Sequence, residues 1–120
     1  MICFDVRFPE LGRTLATGGA KVFIVPASFN STTGPLSWEL SLRAQAMQQQ
    51  VYVIATSASL DEKAAYHAYG HSLVTDPWGT IISTCDEKEH ILITDIDLNL
   101  VEDVRARLPL LATYQHNNAK

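Results

Sequence analysis

Apolar residues fall along this chain in two kinds of run, some continuous and some spaced at helical intervals. Residues 21–25, Lys-Val-Phe-Ile-Val, lie between Gly19 and Pro26. A continuous apolar run so bounded predicts a strand buried on both faces. Residues 51–57, Val-Tyr-Val-Ile-Ala-Thr-Ser, predict another. Residues 71–75 and 80–84 flank Asp76-Pro77-Trp78-Gly79, a turn with proline and glycine in favoured places, so a hairpin is expected. A polar turn over 86–89 leads to a further strand over 91–96. Helical signals sit between these runs. Pro9 suits a first helical position, and Gly18-Gly19 ends a helix over 9–17. Pro35 opens a second helix to about residue 49. Leu36, Leu40, Ala44 and Met47 share one of its stripes, while Trp38, Leu42 and Gln45 lie on another face. Asp97 caps a last helix over 98–108, which Pro109 stops. Residues 60–69 read as an exposed loop and 112–120 as a loose polar tail.

The order is therefore β-α-β-α-β, then a strand meander and a helix. It predicts the α/β class, with a mixed sheet and helices on one face. The other sheet face is also apolar and needs a cover. A chain of 120 residues seldom supplies two covering layers, so half of a larger two-sheet sandwich is expected. No repeat, low-complexity stretch or linker divides the chain. Residues 27–34, Ala-Ser-Phe-Asn-Ser-Thr-Thr-Gly, form a polar loop at the C-terminal end of the first long strand, where open α/β sheets tend to bind ligands.

Composition narrows the function. Hydrophobic residues make up 47% and charged residues 18%, which is globular rather than disordered. The net charge is −4 and no basic cluster exists, which argues against nucleic acid or an anionic membrane as partner. Two cysteines, Cys3 and Cys85, make no disulfide framework, and no Cys/His spacing suits zinc. A reducing, cytoplasmic setting fits this usage, with the mitochondrion as a second option. No apolar run approaches the ~20 residues of a membrane span, and no signal-peptide pattern is visible.

The candidate chemistry lies in residues 1–11, Met-Ile-Cys-Phe-Asp-Val-Arg-Phe-Pro-Glu-Leu. They read as a strand end, a cysteine, and a helix start. A cysteine on such a turn sits near free backbone N–H groups, where a thiolate is stabilised and an oxyanion can be held. The rival reading is a buried structural thiol. Arg7 suits a substrate carboxylate with its bidentate fork, or else an ion pair with Glu10 or Asp5.

Several ordered stretches resemble one family. Ile2-Cys3-Phe4-Asp5-Val6-Arg7-Phe8-Pro9-Glu10-Leu11 is similar to the cysteine motif of the nitrilase superfamily, the carbon–nitrogen hydrolases. Pro26-Ala27-Ser28-Phe29-Asn30, Thr32-Thr33-Gly34-Pro35, Trp38-Glu39, Leu42-Arg43-Ala44, Gln50-Val51-Tyr52-Val53, Tyr69-Gly70-His71-Ser72 and Asp76-Pro77-Trp78-Gly79 follow in family order. Phe29-Asn30 with residues 32–35 resembles the omega-amidase branch, whose motifs the deaminated-glutathione amidases largely share.

The resemblance implies an α-β-β-α sandwich of roughly twice this length, of which residues 1–120 would be the C-terminal half. It implies Cys3 as nucleophile, with the Phe4 N–H as an oxyanion donor. Arg7, Phe29, Thr32 and Thr33 are the expected substrate contacts, on a small amide of an alpha-keto acid. It implies no metal and no organic cofactor, and as partner either a second copy in a homodimer or a complementary N-terminal half. The family's catalytic Glu and Lys belong to motifs preceding the cysteine motif, so only Cys3 of that set carries over. Activity of the chain alone is therefore not expected, and a non-catalytic interaction module is the rival reading. Three positions depart from the family pattern: Met1 stands where glycine is usual, Gln45 for the second arginine of an Arg-Ala-Arg-Ala stretch, and Gln49 for a common asparagine.

Bland readings are preferred elsewhere. Glu39 suits an ion pair with Arg43 four residues on. Trp38 and Trp78 suit core or turn packing, His71 a structural histidine, and Cys85 a structural thiol. Thr32 and Thr33 have a rival reading in local turn bonding.

Overall fold

The computed structural model describes residues 1–119. A short 3-10 helix, Cys3–Arg7, opens the chain and leads into α1, Pro9–Thr17. Then follow β1 (Val22–Ala27), α2 (Thr33–Gln49), β2 (Tyr52–Ser57), β3 (Leu73–Thr75), β4 (Ile81–Thr84), α3 (Asn99–Arg107) and α4 (Leu110–Asn118). The four strands form one sheet in chain order. β1 and β2 are parallel, while β2–β3 and β3–β4 are antiparallel, with an irregularity in register between Val74 and Thr75.

The strand period of two explains where the core sits. Phe23 and Val25 of β1, Val53 and Ala55 of β2 and Leu73 of β3 lie on one face. They are buried in one cluster with Trp38, Leu42 and Ala46 of α2. Of the two stripes on α2, the sheet takes the one carrying Trp38, Leu42 and Gln45. Leu36 and Leu40 stay exposed at 74% and 70%. α2 also begins two residues before Pro35, because the Asn30 carboxamide oxygen accepts from the Thr33 N–H at 2.8 Å and the Thr32 N–H at 3.0 Å. That cap satisfies first-turn donors and leaves Pro35 where its missing N–H costs nothing.

The opposite sheet face is covered at one end only. There the Tyr52 hydroxyl donates to the Asp97 carbonyl at 3.1 Å, and the buried Val101 and Val104 bring α3 against the chain. Arg105 donates to the Ala20 carbonyl at 2.9 Å, and Lys21 pairs with Glu102 at 2.6 Å. Beyond that end the face is open: Ile24 is 63% exposed. The expectation that residues 21–25 are buried on both sides is therefore corrected: on the Ile24 side Val22 is half-buried and Ile24 itself is exposed.

Three further expectations are corrected. Residues 91–96 keep a strand-like alternation, with Ile91 and Ile93 exposed, but form no ladder, because no described strand lies beside them. Met1 and Ile2 are not a strand end; the Met1 amino group alone donates to the Ile24 carbonyl, at 3.3 Å, and two residues make no ladder. The tail is not loose over most of its length. α4 forms after Pro109, and Leu111 is buried in the core cluster. Lys120 lies outside the described residues. No helix among the described residues is long and apolar enough to cross a membrane.

Candidate active site

The 3-10 helix at the start of the chain sets the local chemistry. The Asp5 carboxylate accepts the Ile2 N–H at 2.9 Å, and the Asp5 N–H donates to the Ile2 carbonyl at 3.0 Å. Together they close the turn around Cys3. Cys3 is held at φ +46°, a left-handed conformation that non-glycine residues rarely adopt and that costs energy unless the surroundings enforce it. The thiol is half-buried against the core cluster. The first N–H groups of a helical turn have no carbonyl behind them. That is the position of the Cys3 and Phe4 N–H groups, which find no acceptor among the described residues. The Phe4 side chain itself is exposed and packs edge-on against Phe8, 5.4 Å between centroids.

The other predicted residues fall into two groups. Arg7 ends the same turn and is exposed, with its guanidinium carbon 4.8 Å from the centroid of the Phe29 ring. Among the described residues it joins no ion pair, neither with Asp5 nor with Glu10. Phe29 is buried in the core cluster, with Trp38 as its aromatic neighbour at 5.0 Å between centroids. The structure thus brings Cys3, Arg7 and Phe29 to one side of the sheet. Thr32 and Thr33 sit at the start of α2, where Thr32 is exposed and the Thr33 hydroxyl donates to the Asn30 carboxamide oxygen at 3.0 Å. That loop is tied down from outside. The Tyr69 N–H donates to the Phe29 carbonyl at 2.7 Å, the Ser31 N–H to the His67 carbonyl at 3.1 Å, and Tyr66 to the Ser28 carbonyl at 2.5 Å.

The residues given bland readings have structural partners. Trp38 is buried and donates to the His71 carbonyl at 2.7 Å. The His71 ring stacks on Tyr69, with centroids 4.0 Å apart, and its Nδ1 lies 2.6 Å from the Tyr69 carbonyl. Glu39 pairs with Arg43 at 3.1 Å, and Arg43 also donates from Nε to the Gly79 carbonyl at 2.8 Å. Cys85 uses both donors on one acceptor, the Ser72 carbonyl, from N at 3.0 Å and from Sγ at 3.5 Å. A small polar cleft beside it is lined by Ser57, His71, Ser72, Asp86 and His90. The Asp86 carboxyl there is held below its ordinary value, first by the Lys88 N–H and then by His90. Among the described residues no three or more His, Cys, Asp or Glu side chains are placed to hold a metal ion.

Two contributors were not read from the sequence. Asn30 braces the start of α2, and the signal was available, since an Asn side chain commonly accepts from backbone N–H groups two or three residues on. Gln45 is the other. It is buried on α2 and donates from Nε2 to the carbonyls of Val6, at 3.0 Å, and Phe8, at 3.2 Å. Its signal was a polar residue on the stripe that also carries Trp38 and Leu42.

Residues 1–106 match the family model for carbon-nitrogen hydrolase. The chain belongs to the carbon–nitrogen hydrolase family. It is 46% identical over 110 residues to an omega-amidase of Mus musculus, covering 92% of this chain and 40% of that protein. It is 43% identical over 115 residues to the deaminated glutathione amidase of Rattus norvegicus, covering 96% of this chain and 34% of that protein. The crystal structure of a nitrilase-superfamily member from Saccharomyces cerevisiae superposes with a TM-score of 0.88 at 44% identity, covering 91% of this chain and 40% of that one. This carbon–nitrogen hydrolase chain therefore has the mixed sheet and helices of the nitrilase-superfamily fold. It spans about two fifths of the length of the omega-amidase it matches.

Proposed function

We propose that residues 1–120 are the cysteine-bearing part of an amidase that hydrolyses the terminal amide of small alpha-keto acid amides, alpha-ketoglutaramate and alpha-ketosuccinamate. Cys3 attacks the amide carbon. The thiol proton passes to a base and on to the leaving nitrogen, ammonia departs, and a thioester remains. Water then cleaves the thioester, releasing the acid and restoring the thiol. The Phe4 N–H donates to the tetrahedral oxyanion. Arg7 binds the substrate carboxylate, with Phe29, Thr32 and Thr33 shaping the loop around the keto end. The base and the lysine that the family resemblance adds lie in segments outside residues 1–120, so this chain is a partial domain that is inactive alone. It works in the cytoplasm or the mitochondrion, as part of a homodimer or beside a complementary N-terminal half.

The observation that carries this reading is Cys3 itself, a half-buried thiol held at φ +46° on the first position of a turn whose next N–H is unpaired. A chimera tests it, with residues 1–120 replacing the matching part of the mouse omega-amidase. Expected are ammonia release from alpha-ketoglutaramate and a loss of at least about a thousandfold with Cys3→Ala. A folded chimera whose activity survives that substitution refutes the role of Cys3. Deaminated glutathione, the substrate named for the rat relative, is the competing test compound, and faster turnover of it would move the chain to that branch. A non-catalytic interaction module is the second reading, favoured by the open sheet face around Ile24. A folded chimera inactive on both compounds would support it.

A further inference from the structure

Among the described residues one side chain hydrogen-bonds the carbonyls of the Cys3 turn from outside it. Gln45 is 3% exposed, and its carboxamide nitrogen reaches both the Val6 and Phe8 carbonyls, at 3.0 and 3.2 Å. The orientation of the amide is fixed by chemistry, since turning it over would set its oxygen against two carbonyl oxygens. Its own oxygen is buried without a partner and lies against α1, where a Cβ on Gly12 would come within 2.1 Å of it. Gln45 therefore joins α2, the turn and α1 at a single point. Both of its acceptors stand at the exit of the 3-10 helix, just after the residues that fix Cys3. Gln49, one helical turn on, reaches only the Pro9 carbonyl, at 3.2 Å.

We propose that Gln45 is the positioning residue of this site: its carboxamide clamps the exit of the 3-10 turn and so keeps Cys3 in its left-handed conformation. The clamp is a statement about structure, and its catalytic meaning rests on the amidase reading. A residue at φ +46° persists only where its surroundings over-determine it. Two hydrogen bonds from a rigid, buried amide supply that constraint from outside the turn's own backbone.

Hydrogen exchange reads the clamp directly. The reporters are the amides of Asp5 and Phe8, which donate to Ile2 and Asp5 within the turn. In the chain as it stands, both should exchange as slowly as amides in the middle of α1. Gln45→Met keeps the side-chain length and removes the donors, and should speed exchange at Asp5 and Phe8 at least about fivefold, the factor a typical hydrogen bond carries, leaving the middle of α2 unchanged. Gly12→Ala keeps every donor but displaces the amide, and should do the same. Gln49→Met is the control and should leave the two reporters alone. Reporters that exchange freely in the unaltered chain overturn the proposal whether or not the variants fold. So does an equal response to Gln49→Met. In the chimera described above, Gln45→Met should lower kcat with KM little changed. An inactive chimera with intact exchange behaviour would fault the amidase reading and leave the clamp standing.

Discussion

The two cysteines occupy opposite kinds of backbone. Cys3 opens a 3-10 turn at φ +46°, with its own N–H and that of Phe4 unpaired among the described residues. Cys85 follows β4, and its N–H and thiol both donate to the Ser72 carbonyl. One thiol is set beside free donors and the other is spent on an acceptor. The difference is not in composition, since both cysteines have charged residues close by in the chain, Asp5 and Arg7 at one and Asp86 and Lys88 at the other. It lies in what the backbone has left over. At Cys3 the core side is held by Gln45 and by the tilted pair of Phe29 and Trp38, while at Cys85 a loop closes on itself through Asp86, whose backbone carbonyl accepts from His71 and whose side chain accepts from Lys88.

Trp38 bridges the two regions, touching Phe29 on one side and donating to His71 on the other. Trp38→Ala should therefore break both, at about 3–5 kcal/mol. Urea denaturation checks the loss, and the variant should label with iodoacetamide at Cys3 and Cys85 alike. Gly70 separates them. It lies at φ +72°, and a Cβ there would stand 2.5 Å from the Glu87 Cα. Gly70→Ala should cost about 1–3 kcal/mol and raise labelling at Cys85 while sparing Cys3, as peptide mass spectrometry would show. Asn30→Ala removes the cap of α2 and should cost about 1 kcal/mol by the urea midpoint, leaving Cys85 labelling unchanged.

Acid gives the smallest effect. The folded Asp86 carboxyl is held below its ordinary value by the Lys88 N–H and then His90, and Glu102 by the Lys21 hydrogen bond and charge. A lowered folded value means that each contributes stability above the ordinary carboxylate range, lost as pH falls through the folded value. Below about pH 4 the amide of Lys88 should therefore lose protection relative to its intrinsic exchange rate, while that of Phe8, which donates to a backbone carbonyl, holds. Equal loosening at both places would erase the distinction between the two regions.

How much of this was legible depended on the range of the interaction. α1 is bounded by Pro9 and Gly18, both local signals, and it occupies the expected residues. The hairpin follows from Asp76-Pro77-Trp78-Gly79, whose Asp76 carboxylate accepts from the Trp78 and Thr80 N–H groups at 2.9 Å. α2 was legible as a helix, but its buried stripe was not, because both stripes carry large apolar residues and only contact with the sheet distinguishes Leu42 from Leu40. Residues 91–96 failed for the same reason. Alternation permits a strand, and a ladder needs a neighbour. At the site, the cysteine and its turn could be read from adjacent residues, while Gln45 reaches Val6 across 39 positions of sequence.

The sequence by itself determined the local pieces: the proline and glycine boundaries, the strand runs, the cysteine ahead of a helix start, and the ordered motifs of a carbon–nitrogen hydrolase. Those depend on backbone preferences and side-chain types within a few residues of each other. Only the tertiary structure decided which face of α2 is buried, which side of the sheet stays open at Ile24, and which side chain reaches the cysteine's turn from outside it. Each of these is set by what packs across from it, and that partner is distant in the chain.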